Sequence, residues 1–134
     1  MKLTGRTIYP GVAVGEALVS RMGISFYGGV DPDTGTITES GHDLEGQSIA
    51  GKVLVFPSGK GSTVGSYVLY RLQKNGNAPA AIINAECETI TAVGCIIAEI
   101  PCLDQVDISR LRSGTPLEVD SQQGWVEVKT KGEG

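Results

Sequence analysis

Residues 53–66 read VLVFPSGKGSTVGS, and this stretch decides the fold. A short apolar run from Val53 to Phe56 is followed by Pro57 and a glycine-rich turn, and a helical pattern begins at about Thr63. This order predicts a buried strand that passes through an open turn into a helix. Glycines in such a turn let backbone N–H groups approach a ligand, and the start of a helix favours negative charge. Three roles are open to the hydroxyl of Ser62 there: helix cap, ligand contact or catalytic group.

The residues that follow predict a parallel β-α-β-α-β unit. Apolar residues at spacings of three and four continue to Leu72, and Asn75-Gly76-Asn77 has the composition of a helix end. The run from Ala80 to Ile83 is entirely apolar, which is typical of a strand covered on both faces. A second helix is expected from about Glu88, and Ala98 to Leu103 is expected to return as a strand.

The two ends of the chain read as antiparallel sheet around this centre. We therefore predict an α/β fold with mixed sheets, a parallel β-α-β centre and a helical layer, in one domain over residues 1–134. The tail from Lys129 to Gly134 is expected to be frayed. The other predicted elements are strands at Leu3 to Ile8, Val12 to Val19 and Gly23 to Val30, a helical turn at Asp107 to Leu111, and a hairpin of Pro116 to Val119 with Gly124 to Val128.

Composition excludes several classes of function. The net charge is -4 and Lys and Arg are not clustered, which argues against a nucleic-acid-binding protein. No apolar run reaches the roughly 18 residues of a membrane-spanning helix, and no signal peptide is recognised, so a cytoplasmic protein is expected. Charged residues make up only 19% of the chain, which suggests that a partner covers part of its surface.

The cysteines predict neither a disulfide framework nor a metal site in this chain. Cys87, Cys95 and Cys102 are odd in number and widely spaced. Because Cys95 and Cys102 lie in apolar runs, we interpret them as small buried hydrophobes.

The glycine turn matches no common nucleotide or hydrolase motif. Lys60 is followed by Gly61 where a phosphate-binding loop needs Ser or Thr, and the glycine spacing is one residue too long for a dinucleotide fingerprint. The residues around Ser62 lack the flanking glycines of a nucleophile elbow. His42 falls in a polar loop, where an exposed histidine is expected rather than a catalytic one. From the residues alone, a simple helix cap by Ser62 or Ser58 and a ligand-binding role for Ser62 remain equally open.

The segment PSGKGSTVGSYVLYRL, residues 57–72, resembles the serine loop of the small subunit of aconitase X enzymes. Further stretches resemble other parts of that family, so that the resemblance covers nearly the whole chain. They are ISFYGGVDP at 24–32 with Gly35, GQSIAGK at 46–52, AAIIN at 80–84, Thr89-Ile90, Gly94, and AEIP at 98–101.

The resemblance implies a swivelling β/β/α three-layer domain that pairs with a large catalytic subunit as a heterodimer or larger assembly. A 4Fe-4S cluster is expected on that large subunit, and no cofactor on this chain. A stand-alone small subunit of this length resembles the small subunit of an archaeal-type dehydratase. That enzyme removes water from (R)-5-phosphomevalonate to give trans-anhydromevalonate 5-phosphate, in the archaeal-type mevalonate pathway to isoprenoids. Relatives with a fused domain dehydrate cis-3-hydroxy-L-proline. A non-catalytic anion-binding or regulatory module is the alternative from another class.

By the same resemblance, Ser62 is the proton acceptor. Lys60 and Gly61 are candidate contacts to a small anionic substrate. Asn84, Glu86 and Glu88 follow a strand end, a common ligand location, although helix capping explains them better. The loop 28–31 is a second candidate for the interface or the site. Because a serine alkoxide is scarcely populated at neutral pH, the isolated chain is predicted to be inactive.

Overall fold

Residues 1–129 are described by the computed structural model, and they form one eight-stranded mixed sheet with helices on it. The strand order is β1-β8-β7-β3-β4-β5-β6-β2. The strands are β1 (Lys2–Thr4), β2 (Arg6–Tyr9), β3 (Val12–Val19), β4 (Val53–Phe56), β5 (Ala81–Asn84), β6 (Cys102–Asp104), β7 (Pro116–Asp120) and β8 (Trp125–Val128). The helices are α1 (Phe26–Gly29), α2 (Gly65–Lys74) and α3 (Thr89–Ala98), with a 3₁₀ turn at Ile108–Arg110.

Strand β3 joins an antiparallel half of the sheet to a parallel half. Its first residues pair antiparallel with β7, and its last three, Ala17 to Val19, pair parallel with β4. β4, β5 and β6 continue the parallel pairing, and β2 closes that half as an antiparallel edge. The predicted α/β fold with a parallel β-α-β centre is therefore confirmed.

The buried side chains of β4 alternate between two cores, as expected for a strand covered on both faces. Leu54 and Phe56 face the helices, where they pack with Leu69, Leu72 and other residues of α2 and α3. Val53 and Val55 face the opposite way, into a core shared with Leu117, Val119 and Val126 of the antiparallel half. Two cores separated by the parallel strands give the three layers that the sequence predicts.

The predicted strand from Leu3 to Ile8 is in fact two strands that lie at opposite edges of the sheet. β1 pairs with β8 and β2 pairs with β6, with only Gly5 between them. A Cβ atom on Gly5 would lie 2.3 Å from the carbonyl oxygen of Asp104. The chain therefore changes edges at a residue that has no room for a side chain, and the two edges of the sheet lie side by side.

The predicted strand from Gly23 to Val30 is wrong. Ile24 makes one isolated parallel bridge, to Gly59, and Phe26–Gly29 is a short helical turn broken at Tyr27 and Gly28, with φ +84° at Gly28. Ile24 and Phe26 are both buried, so this segment buries alternate side chains without forming a continuous strand. Residues 130–134, most of the tail predicted to fray, lie outside the described part of the chain.

Candidate functional site

The loop that carries Ser62 follows the carboxyl end of β4 and is fixed to a second segment. The carbonyl oxygen of Ser58 accepts a hydrogen bond from the Ile24 amide (3.3 Å), and the Lys60 amide donates to the Ile24 carbonyl (3.0 Å). The loop therefore continues the parallel pairing beyond the strand, and its position depends on a segment more than 30 residues earlier.

Two glycines of the loop are required by their surroundings. A Cβ atom on Gly59 would lie 2.3 Å from Glu88 Oε1 and 2.4 Å from Thr91 Oγ1 of α3. Gly61 has φ +91°, and its Cβ atom would lie 2.4 Å from Ser25 Oγ. Both glycines thus hold the loop against its neighbours, and only a residue without a side chain fits.

Ser62 itself is exposed, so its hydroxyl can be reached from outside. Within residues 1–129 its Oγ takes part in one hydrogen bond, accepted from the Val64 amide at 3.2 Å. Val64, not Ser62 or Ser58, occupies the N-cap position of α2, and no side chain caps that helix. Ser62 therefore does not occupy the N-cap position itself, and its hydroxyl closes the turn that leads into the helix, two residues before Val64.

The first amides of α2 are already occupied by turn bonds. The Gly65 amide donates to the Ser62 carbonyl (2.9 Å) and the Ser66 amide to the Thr63 carbonyl (3.3 Å). In contrast, the amides of Gly61, Ser62 and Thr63 have no partner among the residues described. The backbone amides that are available to bind an anion thus belong to the glycine turn, which precedes the helix, rather than to the helix itself.

Lys60 and Gly61 line a cleft of about 400 Å³ together with the loop predicted from the first glycine motif. Ser25, Tyr27, Gly28, Gly29 and Glu39 complete its lining, and Ser62 follows Gly61 without being part of it. The structure therefore brings the two candidate glycine loops together, as a site built from both would require.

The ammonium group of Lys60 is paired with Glu39, a residue that no local sequence pattern links to the glycine turn. Lys60 Nζ lies 3.0 Å from Glu39 Oε2, and the lysine side chain is about half exposed. Because pairs as exposed as this contribute little stability, a bound anion can compete for Lys60. Ser25 and Glu39 are the lining residues that sequence reasoning missed, since no local pattern links them to residues 60 and 61.

Polar residues at the end of β5 and at the start of α3 lie next to β4 and its loop. Glu88 caps α3, with its carboxylate accepting from the amides of Ile90 (2.7 Å) and Thr91 (3.0 Å), so that the predicted capping role is confirmed for Glu88. Asn84 is fully buried and donates to the Phe56 carbonyl at 3.0 Å. Its Oδ1 and the Thr91 hydroxyl are buried without a partner among the residues described. Glu86 is exposed.

The expectation that His42 is exposed is wrong, because only 5% of this residue is accessible. Its Nε2 lies 3.0 Å from the Gly23 carbonyl, and its Nδ1 accepts from the Leu44 amide at 3.0 Å. These two bonds are satisfied together only by the neutral ring with its proton on Nε2. His42 therefore ties its own loop to the segment that precedes Ile24.

Replacing His42 with alanine is expected to lower the free energy of unfolding by about 1–3 kcal/mol, because the buried Leu44 amide and the partly buried Gly23 carbonyl lose their partner. The turnover of the assembled protein is expected to change little. Urea denaturation and steady-state kinetics measure the two effects separately. A large fall in kcat with unchanged stability would instead show that His42 takes part in chemistry.

The cysteines do not form a metal centre in the described part of the chain. All three are free thiols, and Cys95 and Cys102 are buried in the core beneath the helices. The neighbouring Cys102 thiol, together with burial, raises the pKa of Cys87 far above its ordinary value. Residues 1–129 hold no group of three or more His, Cys, Asp or Glu side chains suited to a metal ion. Nor does any helix there have the length and apolarity needed to cross a bilayer.

Comparison with known proteins identifies the family. A family model described as the aconitase X swivel domain matches residues 2–128. The chain is 58% identical to the phosphomevalonate dehydratase small subunit of Thermococcus kodakarensis, over 99% of this chain and 100% of that protein. It is 57% identical to the protein of the same name in Methanosarcina acetivorans, over 98% of this chain and 94% of that one.

The fold comparison agrees with the sequence comparison. The crystal structure of Thermococcus kodakaraensis aconitase X in its holo-form superposes with a TM-score of 0.96 at 57% identity, covering 97% of this chain and 99% of that one. The resemblance predicted from the serine loop and its flanking motifs is confirmed, and the chain belongs to the aconitase X swivel-domain family.

Proposed function

We propose that this chain is the small subunit of a heteromeric hydro-lyase that dehydrates (R)-5-phosphomevalonate to trans-anhydromevalonate 5-phosphate. The observation that carries the proposal is the exposed Ser62 hydroxyl, on a loop held by Gly59 and Gly61. The names of the relatives, which match this chain over nearly its whole length, support the choice of substrate.

In this proposal Ser62 accepts the proton from the carbon next to the carboxylate. General bases of this kind contribute about 10²–10⁴-fold to a rate. A base must be held close to the carbon acid, and the contacts of Gly59 with α3 and of Gly61 with Ser25 provide that rigidity.

A serine base needs more help than this chain supplies. A helix dipole contributes only about 0.3–2 kcal/mol, against roughly 1.4 kcal/mol for each unit of pKa. The amides of Gly61, Ser62 and Thr63 add donors, but the buried His42 is bonded elsewhere and Lys60 is paired with Glu39. We therefore propose that cationic groups of the large subunit complete the site when the interface closes around it.

The leaving hydroxyl requires a Lewis acid, and residues 1–129 contain no group of side chains suited to hold a metal ion. Cys95 and Cys102 are buried, and the pKa of the partly buried Cys87 is raised, so these thiols do not fit a 4Fe-4S cluster. We place the cluster on the large subunit, where it would polarise the departing oxygen. With the base on this chain and the cluster on the large subunit, the active site lies at the interface between the two chains.

Substrate binding on this side is assigned to Lys60 and the free amides of the glycine turn. The net charge of -4 gives no long-range attraction for a phosphorylated carboxylate, so local donors must act. The exposed contact with Glu39 is weak enough to be exchanged for a phosphate or carboxylate of the substrate.

The test mixes the purified chain with its large subunit, supplies (R)-5-phosphomevalonate, and follows the product by mass spectrometry. We expect turnover by the pair and none by either subunit alone. Cis-3-hydroxy-L-proline serves as the competing substrate for a related dehydratase. Turnover by this chain alone would refute the shared site, and a pair active only on the proline derivative would refute the substrate.

A further inference from the structure

Helix α3 is unusual for a surface helix because none of its ten residues is charged. One face is buried in the core through Thr91, Gly94, Cys95 and Ala98. The opposite face carries large apolar side chains that remain partly exposed in the free chain. A helix that is apolar all round is normally buried on all sides. The outer face of α3 is therefore suited to being covered by another protein.

Helix α2 extends this apolar face into a groove between the two helices. The groove has a volume of about 370 Å³ and is lined mainly by Val64, Tyr67, Ile90, Val93 and Ile97. Tyr67 is 67% exposed, Val93 42% and Ile97 40%. Aromatic residues such as tyrosine are enriched, and charged residues are depleted, at the centre of protein interfaces.

We propose that this groove, lined by Val64, Tyr67, Ile90, Val93 and Ile97, is where the large subunit docks, through an apolar segment of its surface. The inference rests on the proposed function, because it needs a partner that covers Ser62. The groove is continuous with the serine loop, because Thr63 and Val64, the two residues directly after Ser62, form one end of it. A chain that closes over the Ser62 hydroxyl therefore also meets this apolar surface.

A second copy of this chain is a poorer occupant on the same grounds. Pairing two copies through the groove would bring a neighbouring chain against residues 63 and 64 and obstruct the approach to Ser62. A single larger partner accounts both for the uncovered apolar face and for the serine hydroxyl beside it.

The test replaces Val93 with glutamate and measures, by calorimetry, how tightly the purified variant binds the purified large subunit. A buried charge without a partner is strongly unfavourable, so we expect the Kd to rise at least about tenfold. Tyr67→Ser, a milder change on α2, is expected to weaken binding in the same direction. Val14→Glu makes the matched substitution on β3 at a valine that is 66% exposed outside the groove, and it is expected to leave the Kd unchanged.

Each outcome separates this inference from the proposed function. If the unaltered chain binds its large subunit but both groove variants bind equally well, the docking surface lies elsewhere and the proposed function stands. If the unaltered chain does not bind a large subunit at all, the proposed function fails first. If it self-associates and Val93→Glu makes it monomeric, the occupant is a second copy and the inference is overturned.

Discussion

Ser62→Ala is expected to lower the kcat for dehydration by about 10²–10⁴-fold while the two subunits still assemble. The hydroxyl is the proposed proton acceptor, and alanine offers no lone pair in its place. The substitution removes one exposed hydrogen bond, from the Val64 amide, so the fold is expected to lose little stability. Steady-state kinetics of the assembled enzyme, with calorimetry of subunit binding, measure both consequences.

Ser109→Ala is the matched control for this variant. Ser109 is also an exposed serine whose hydroxyl bonds within two residues, donating to Asp107 at 2.5 Å, but it lies in the 3₁₀ turn rather than in the serine loop. The kcat of the Ser109→Ala enzyme is expected to equal that of the unaltered enzyme. An Ser62→Ala enzyme with full kcat would show that the proton is taken elsewhere, and would favour the non-catalytic alternative.

Gly61→Ala is expected to damage both stability and turnover. At φ +91° an alanine is strained, and its Cβ would lie 2.4 Å from Ser25 Oγ, so either the Ser25 side chain or the loop must move. Backbone strain of this kind costs about 1–3 kcal/mol. A shift of about 1 Å in a catalytic group can cost about 10²-fold in rate, so we expect kcat to fall more than stability alone explains. Urea denaturation and kinetics on the assembled enzyme provide the comparison.

Gly46→Ala separates the effect of backbone strain from the effect of the contact with Ser25. Gly46 has φ +84°, close to the value at Gly61, but a Cβ atom there meets nothing within 4 Å. We expect this control to lose stability through backbone strain and to keep its kcat. Equal loss of kcat in both variants would mean that the contact between Gly61 and Ser25 does not position Ser62.

The parts of the fold that were correctly predicted depend on local signals. The strand Val53–Phe56, the helix that ends before Gly76 and the capping role of Glu88 each follow from residues a few positions apart. The hairpin of β7 and β8 is equally local, since four residues separate its strands. Propensity and periodicity act over such distances, which is why they succeed there.

The features that the sequence could not predict depend on distant contacts. Nothing near His42 shows that the Gly23 carbonyl will meet its ring, and nothing near Lys60 indicates Glu39. The strand expected at 23–30 was wrong because Ile24 pairs only through an isolated bridge to the distant Gly59 and the backbone then turns at Phe26–Gly29. In the candidate site, the serine loop was visible in the sequence, whereas the cleft beside it was created by the fold.

The crossing at Gly5 has a consequence for how this molecule meets others. Both rims of the sheet are strands of only three and four residues, drawn from one continuous N-terminal segment. Short rims of this kind give an incoming peptide little backbone on which to add a new strand, so edge-to-edge aggregation of sheets is disfavoured. Recognition by other molecules is thereby directed to side chains on the helical layer.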